Sequence, residues 1–199
     1  ADRLPNFANT TSMRVAGGLG TIARIVSESE EIYAGPLDVQ EALARIDAVY
    51  KPYHRTLRQV VLDTRAEFGL AVLVDCHSMP STVRGMHGRL RPDIVLGDRY
   101  GTSCASELTD LMAQVLTRFG YSVSRNKPYA GGFITEHYGQ PARGLHAVQI
   151  EINRRLYMDE QTLEKTDRFE PLRADLGRLI SALVEAFDAG FLARPEAAE

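Results

Sequence analysis

Leu70-Ala71-Val72-Leu73-Val74-Asp75-Cys76-His77-Ser78-Met79-Pro80 passes from five unbroken apolar residues into a polar end. A short apolar run without alternation is the pattern of a strand buried on both faces of a parallel or mixed sheet. Upstream of it, from residue 37 to 68, Val39, Ala42, Leu43, Ile46, Val49, Tyr50, Leu57, Val60, Val61 and Phe68 recur at helical spacing. Pro52 has no N–H to donate and is expected to divide or kink that pattern into two helices. Gly69 is expected to stop the second. Downstream, residues 78–92 read as a polar, glycine-containing loop, and residues 93–96 as a second strand. A helix follows with Leu108, Leu111, Met112, Val115, Leu116 and Phe119 on one stripe, ended by Gly120. Residues 121–124 and 146–153 give a third and a fourth strand. Leu172, Leu176, Leu179, Ile180, Leu183 and Phe187 give a last helix.

Strands separated by helices of ten or more residues predict an α/β fold, a mixed, largely parallel sheet with helices on both faces. No repeat or Pro/Gly/Ser-rich linker divides the chain, so residues 1–194 read as one domain and 195–199 as a frayed tail. The 199 residues carry a net charge of −3, which gives no electrostatic footprint for nucleic acid. No apolar run is long enough for a bilayer, so no membrane partner is expected, and reduced cysteines point to a cytoplasmic chain. Cys76 and Cys104 are expected to be reduced, buried thiols.

In such sheets, ligands gather beyond the carboxyl ends of strands, which directs attention to two segments. On the first, period-two alternation points Asp75 and His77 the same way and Cys76 the other way. A strand-end imidazole beside a carboxylate suits a zinc ligand with an orienting partner, and equally suits a loop cap. On the second, Val148, Ile150 and Ile152 define one face, and Gln149, Glu151 and Asn153 the other. Either that polar face meets water on an edge strand, or it lines a site in which burial raises Glu151 toward general-base service. Among the other histidines, His54 reads as helical surface, and His87 and His137 as loop residues. His146 divides evenly between core and site. The glycines at 17, 18 and 20 lack the lysine and preceding strand of a phosphate loop and read as a backbone turn. Tyr129-Ala130-Gly131-Gly132-Phe133 reads as a turn that lets backbone approach something closely. Arg14, Arg24 and Arg154 flank these motifs and could hold carboxylates.

In order, RVAGGLGTIARI (14–25), PYHRTL (52–57), VDCHSMPS (74–81), RPDIVLGDRYG (91–101), GYSVSRNKPYAGGFIT (120–135) and HAVQIEINRRLYMDE (146–160) resemble the N-formylglutamate amidohydrolase family. The resemblance covers nearly the whole chain. It implies a zinc-exopeptidase-like α/β fold and a zinc-dependent hydrolase that splits N-formyl-L-glutamate into formate and L-glutamate, late in histidine degradation. Residue by residue, it implies that His77 is a zinc ligand with Ser78 beside it, and that Glu151 is the general base. Arg154, with Arg14 or Arg24, would receive the carboxylates of a small N-acyl amino acid. Members of the family carry a His-Ser-Gly segment, an acidic ligand and an Asp-x-Asn-Arg segment, none of which occurs here. One zinc ion is therefore expected to take its further ligands from upstream of Ala1, leaving these 199 residues inactive alone. The alternatives are another N-acyl amino acid or peptide amide on the same scaffold, or a metal-free binding relative.

Overall fold

The computed structural model describes residues 13–26, 30–83 and 86–190. The expected frayed tail lies outside them. Packing divides the chain into two compact units, Ala1–Val60 and Val61–Glu199.

In the first unit, a single helical turn, α1 (Met13–Ala16), runs into the glycine segment. There the Gly18 N–H donates to Val15 O at 3.0 Å, and Gly18 O accepts from the Arg24 N–H at 2.8 Å. The segment is therefore a backbone turn, as its composition suggested. α2 (Val39–Arg45) starts at Asp38, whose carboxylate accepts from the N–H groups of Gln40 and Glu41 and satisfies two orphan donors. A π-helical turn, Ile46–Tyr50, then joins α2 to α3 (Lys51–Phe68), with the Lys51 N–H donating to Ile46 O. Pro52 cannot donate to a carbonyl one turn back, and the wider π turn absorbs the fault. The expected division is thus a change of helical gauge in a continuous rod. Gly69, at φ +83°, closes α3 in a left-handed conformation with its N–H on Arg65 O.

The second unit holds β1 (Ala71–Met79), β2 (Thr82–Val83), β3 (Met86–Leu90), β4 (Ile94–Gly97), α4 (Ser106–Arg118), β5 (Val123–Arg125), α5 (Phe133–Tyr138), β6 (Leu145–Asn153) and α6 (Phe169–Asp188). The main sheet has the order β1-β6-β4-β5, with β1–β6 and β4–β5 parallel and β4–β6 antiparallel. One face carries Val72, Val74, Val148, Ile150, Ile94 and Leu96 against Leu108, Met112 and Leu116 of α4 and Leu179 and Leu183 of α6. Each fully buried side chain of this size contributes about 1.5–3 kcal/mol relative to exposure. The opposite face carries Asp75, His77, Gln149, Glu151, Val95 and Gly97, as the register requires.

Three expectations change. The first strand runs past its expected end at His77 to Met79, because β6 pairs with it that far. Nor is it buried on both faces: it borders the sheet, its middle is half-buried, and Cys76 is exposed. Among the described residues, Thr64, Phe68, Val72, Val74, Ile180 and Val184 leave a groove of about 730 Å³ along that border. The 78–92 loop is in fact largely built, since β2 and β3 form an antiparallel hairpin within it. Among the described residues, no helix is long and apolar enough to cross a membrane.

Candidate active site

Parallel pairing of β1 with β6 sets His77 opposite Glu151 and Asp75 opposite Gln149, all four on one face of the sheet. His77 Nε2 lies 3.0 Å from Asp75 Oδ2. An ionised carboxylate can only accept, so Nε2–H is the donor of this pair, and in the neutral ring the Nδ1 lone pair is the one left over. Nδ1 lies 3.9 Å from Glu151 Oε1, and the His77 side chain is 47% exposed. A lone pair facing a carboxylate oxygen across that gap calls for a cation or a proton between them.

Glu151 is 6% exposed. β6 is a central strand and the side chains of its polar face, Gln149, Glu151 and Asn153, are all buried, so the wet-edge alternative does not hold. Burial pushes the Glu151 carboxyl above its ordinary value, against the opposing pull of His77, of the Gln149 hydrogen bond and of Arg91. Gln149 Nε2 donates to Glu151 Oε1 at 2.7 Å. Gln149 Oε1 in turn accepts from the Gly132 N–H at 2.7 Å. The 129–133 turn therefore approaches Gln149 and β4. A Cβ at Gly97 would stand 2.7 Å from the backbone of Ala130 and Gly131, so only glycine lets the turn reach the sheet.

The sequence-predicted residues divide in three. His77 and Glu151 are brought together. Arg154 reaches β1, its Nε–H donating to Ser78 Oγ at 3.3 Å, although alternation turns Ser78 away from the His77 face. Arg24 is exposed in the first unit, and the side chain of Arg14 lies outside those described, as does that of His87. His146 takes the core option: it is 7% exposed, Nδ1 accepts from the Ala105 N–H at 3.2 Å, and burial lowers its pKa. His137 stacks on Phe133 within α5. The residues sequence reasoning missed are Gln149 as a hydrogen-bond partner of Glu151, and Arg91. The alternation in β6 already placed Gln149 on the polar face, but Arg91 gave no signal within a loop-like segment.

For zinc, His77 has the orientation of a ligand: one ring nitrogen is held by a carboxylate, and the other faces Glu151 across 3.9 Å. That is one corner of a site that ordinarily takes three protein ligands. Among the described residues, no group of three or more His, Cys, Asp or Glu side chains could hold a metal.

The sequence model of the family described as N-formylglutamate amidohydrolase matches residues 3–158. An N-formylglutamate deformylase of Pseudomonas aeruginosa is 38% identical over 148 residues, covering 73% of this chain and 56% of the relative. One from Pseudomonas putida is 35% identical, covering 73% and 55%. The chain thus spans about half the length of the curated relatives it matches. The crystal structure of an N-formylglutamate amidohydrolase from Ralstonia eutropha superposes with a TM-score of 0.83 at 36% identity, over 90% of this chain and 65% of that one. On the match of the family model, joined to this structural likeness, the chain belongs to the N-formylglutamate amidohydrolase family.

Proposed function

We propose that the protein to which these residues belong hydrolyses N-formyl-L-glutamate to formate and L-glutamate with the help of zinc. The observation that carries this reading is the buried, pKa-raised Glu151 across 3.9 Å from Nδ1 of His77. His77 would give the metal one ligand through Nδ1, with Asp75 fixing the tautomer. The remaining ligands come from outside the cluster described here. Zinc, when bound, would polarise the formyl carbonyl and acidify a water.

The chain's own residues do the rest. Gln149 occupies Glu151 Oε1 and fixes the plane of the carboxylate, so Oε2 is the seat for the proton taken from the attacking water. The raised pKa suits Glu151 to hold that proton and return it to the departing glutamate nitrogen. Arg154, and less directly Arg14 and Arg24, remain carboxylate receptors on the strength of the family resemblance alone. A place late in histidine degradation and in the cytoplasm belongs to the same proposal.

L-Glutamate release from N-formyl-, N-acetyl- and N-succinyl-L-glutamate by the zinc-loaded full-length protein tests it. Turnover of the formyl compound far above the others is expected. Preference for a larger acyl group would sink the assignment.

A further inference from the structure

Several described arginines of the second unit are held in ion pairs and others are not. Arg99, Arg125, Arg155, Arg173 and Arg178 each pair with a carboxylate. Half-buried Arg65, Arg91 and Arg154 pair with none among the described residues; Arg65 is held by Arg143 O and Arg154 by Ser78 Oγ, whereas Arg91 stands at the site end of the sheet. Taking a guanidinium partly out of water without a counter-charge is costly, and such sites are commonly completed by a ligand.

Its position is fixed from several sides. The Arg91 N–H donates to Ser81 O at 3.1 Å. Asn153 Nδ2, two residues past Glu151 on β6, donates to the carbonyls of Arg91 and Pro92 at 3.4 and 3.1 Å. Arg91 therefore sits beyond the carboxyl ends of β1 and β6, the end of the sheet where His77 and Glu151 lie. Its Nε–H donates to Thr82 O at 3.1 Å, one Nη1 hydrogen goes to the Tyr129 hydroxyl, and the guanidinium stands 5.3 Å from the Tyr129 ring centroid. Tyr129 begins the same turn whose Gly132 N–H reaches Gln149. These contacts leave one hydrogen on Nη1 and two on Nη2, the side-by-side pair that takes a carboxylate in bidentate fashion.

We propose that Arg91, presented by Tyr129, receives a carboxylate of the substrate and sets the preference for anionic N-acyl amino acids. The proposal rests on the hydrolase reading above and names a specificity residue for it. Arg154 is the weaker fit, since its hydrogen bond leads to Ser78 on the other side of β1.

The test uses the zinc-loaded full-length protein with Arg91→Leu and Arg91→Lys, and three substrates: N-formyl-L-glutamate, its α-amide, and N-formyl-L-glutamine. Loss of a charge-assisted contact should raise KM for N-formyl-L-glutamate roughly 10- to 100-fold in Arg91→Leu with kcat much less affected. Lysine keeps the charge without the fork and should recover part of the loss. The penalty should vanish on the one mono-amide that lacks the carboxylate Arg91 holds. An equal penalty on all three substrates, or none on any, overturns the proposal. Titration calorimetry of N-formyl-L-glutamate into Glu151→Gln, with and without Arg91→Lys, separates the two readings. Absence of formate from the wild-type protein defeats the hydrolase reading. An affinity that Arg91→Lys leaves untouched, or no binding to either protein, defeats the role of Arg91.

Discussion

Asp98, just past β4, and Glu151, near the end of β6, are carboxylates buried to a similar degree in one sheet, at 0% and 6% exposure. Their surroundings answer that burial in opposite ways. Asp98 accepts from Arg125 Nη2 at 2.8 Å, Asn126 Nδ2 at 2.7 Å and the Gly101 N–H at 3.1 Å. Burial alone would raise its pKa, yet the guanidinium, the amide and the backbone donor outweigh it and hold the carboxyl below the ordinary 3.8. Glu151 has one neutral donor and an imidazole 3.9 Å away, so burial wins and its pKa rises. The first environment locks a charge in place for the fold. The second leaves a carboxylate poised to exchange a proton, which is what catalysis needs and what stability does not.

The sharpest way to break this contrast is Glu151→Gln. Turnover should fall by about two to four orders of magnitude, as loss of a general base implies. An unchanged kcat would remove Glu151 from the chemistry. The same variant carries a stability test of opposite sign. A carboxyl whose folded pKa exceeds its unfolded value loses stability as pH rises through that interval, so ionised Glu151 is a burden at neutral pH. Metal-free Glu151→Gln should therefore melt no lower than the metal-free parent.

Asp98→Asn should do the reverse. It leaves Arg125 with Asp110 as its remaining counter-charge and sets a neutral amide in the buried network, which should lower stability by about 1–3 kcal/mol, read from denaturant unfolding. A variant as stable as its parent would show that the network is decorative. Gly97→Ala, which drives a methyl into the Ala130–Gly131 backbone, should cost about 1–3 kcal/mol and lower kcat as well, because the turn it displaces holds Gln149. Loss of stability with kcat intact would cut the supposed link between the turn and Glu151. The smallest effect is expected in acid. Because the folded pKa of Asp98 is depressed, its contribution is present above 3.8 and lost as pH falls through the folded value. The gap in melting temperature between parent and Asp98→Asn should close over that range; a constant gap would show that charge is not what Asp98 contributes.

What could be read in the sequence follows the same physical divide. Alternation in 146–153 gave a strand with an apolar and a polar face, and β6 is that strand. Alternation past Val74 put Asp75 and His77 on one side, and the register bears this out. Which strand neighbours which is decided by long-range pairing that local pattern does not encode, so β1 passed for a central strand and β6 for a possible edge. The hairpin of β2 and β3 was missed because its polar, glycine-containing residues look like loop on both counts. Arg91 was invisible for a related reason: its value lies in Tyr129, Thr82 and Asn153, far apart in sequence and brought together only by folding.

The border position of β1 has a practical outcome at the bench. Among the described residues, β1 is nine residues of extended backbone with one neighbour, offering a row of donors and acceptors to any other extended chain, beside a greasy furrow that would stabilise the newcomer. A preparation of these 199 residues alone should therefore associate through that rim as its concentration climbs, and a proline or lysine placed there would act as a gatekeeper against fibrous assembly.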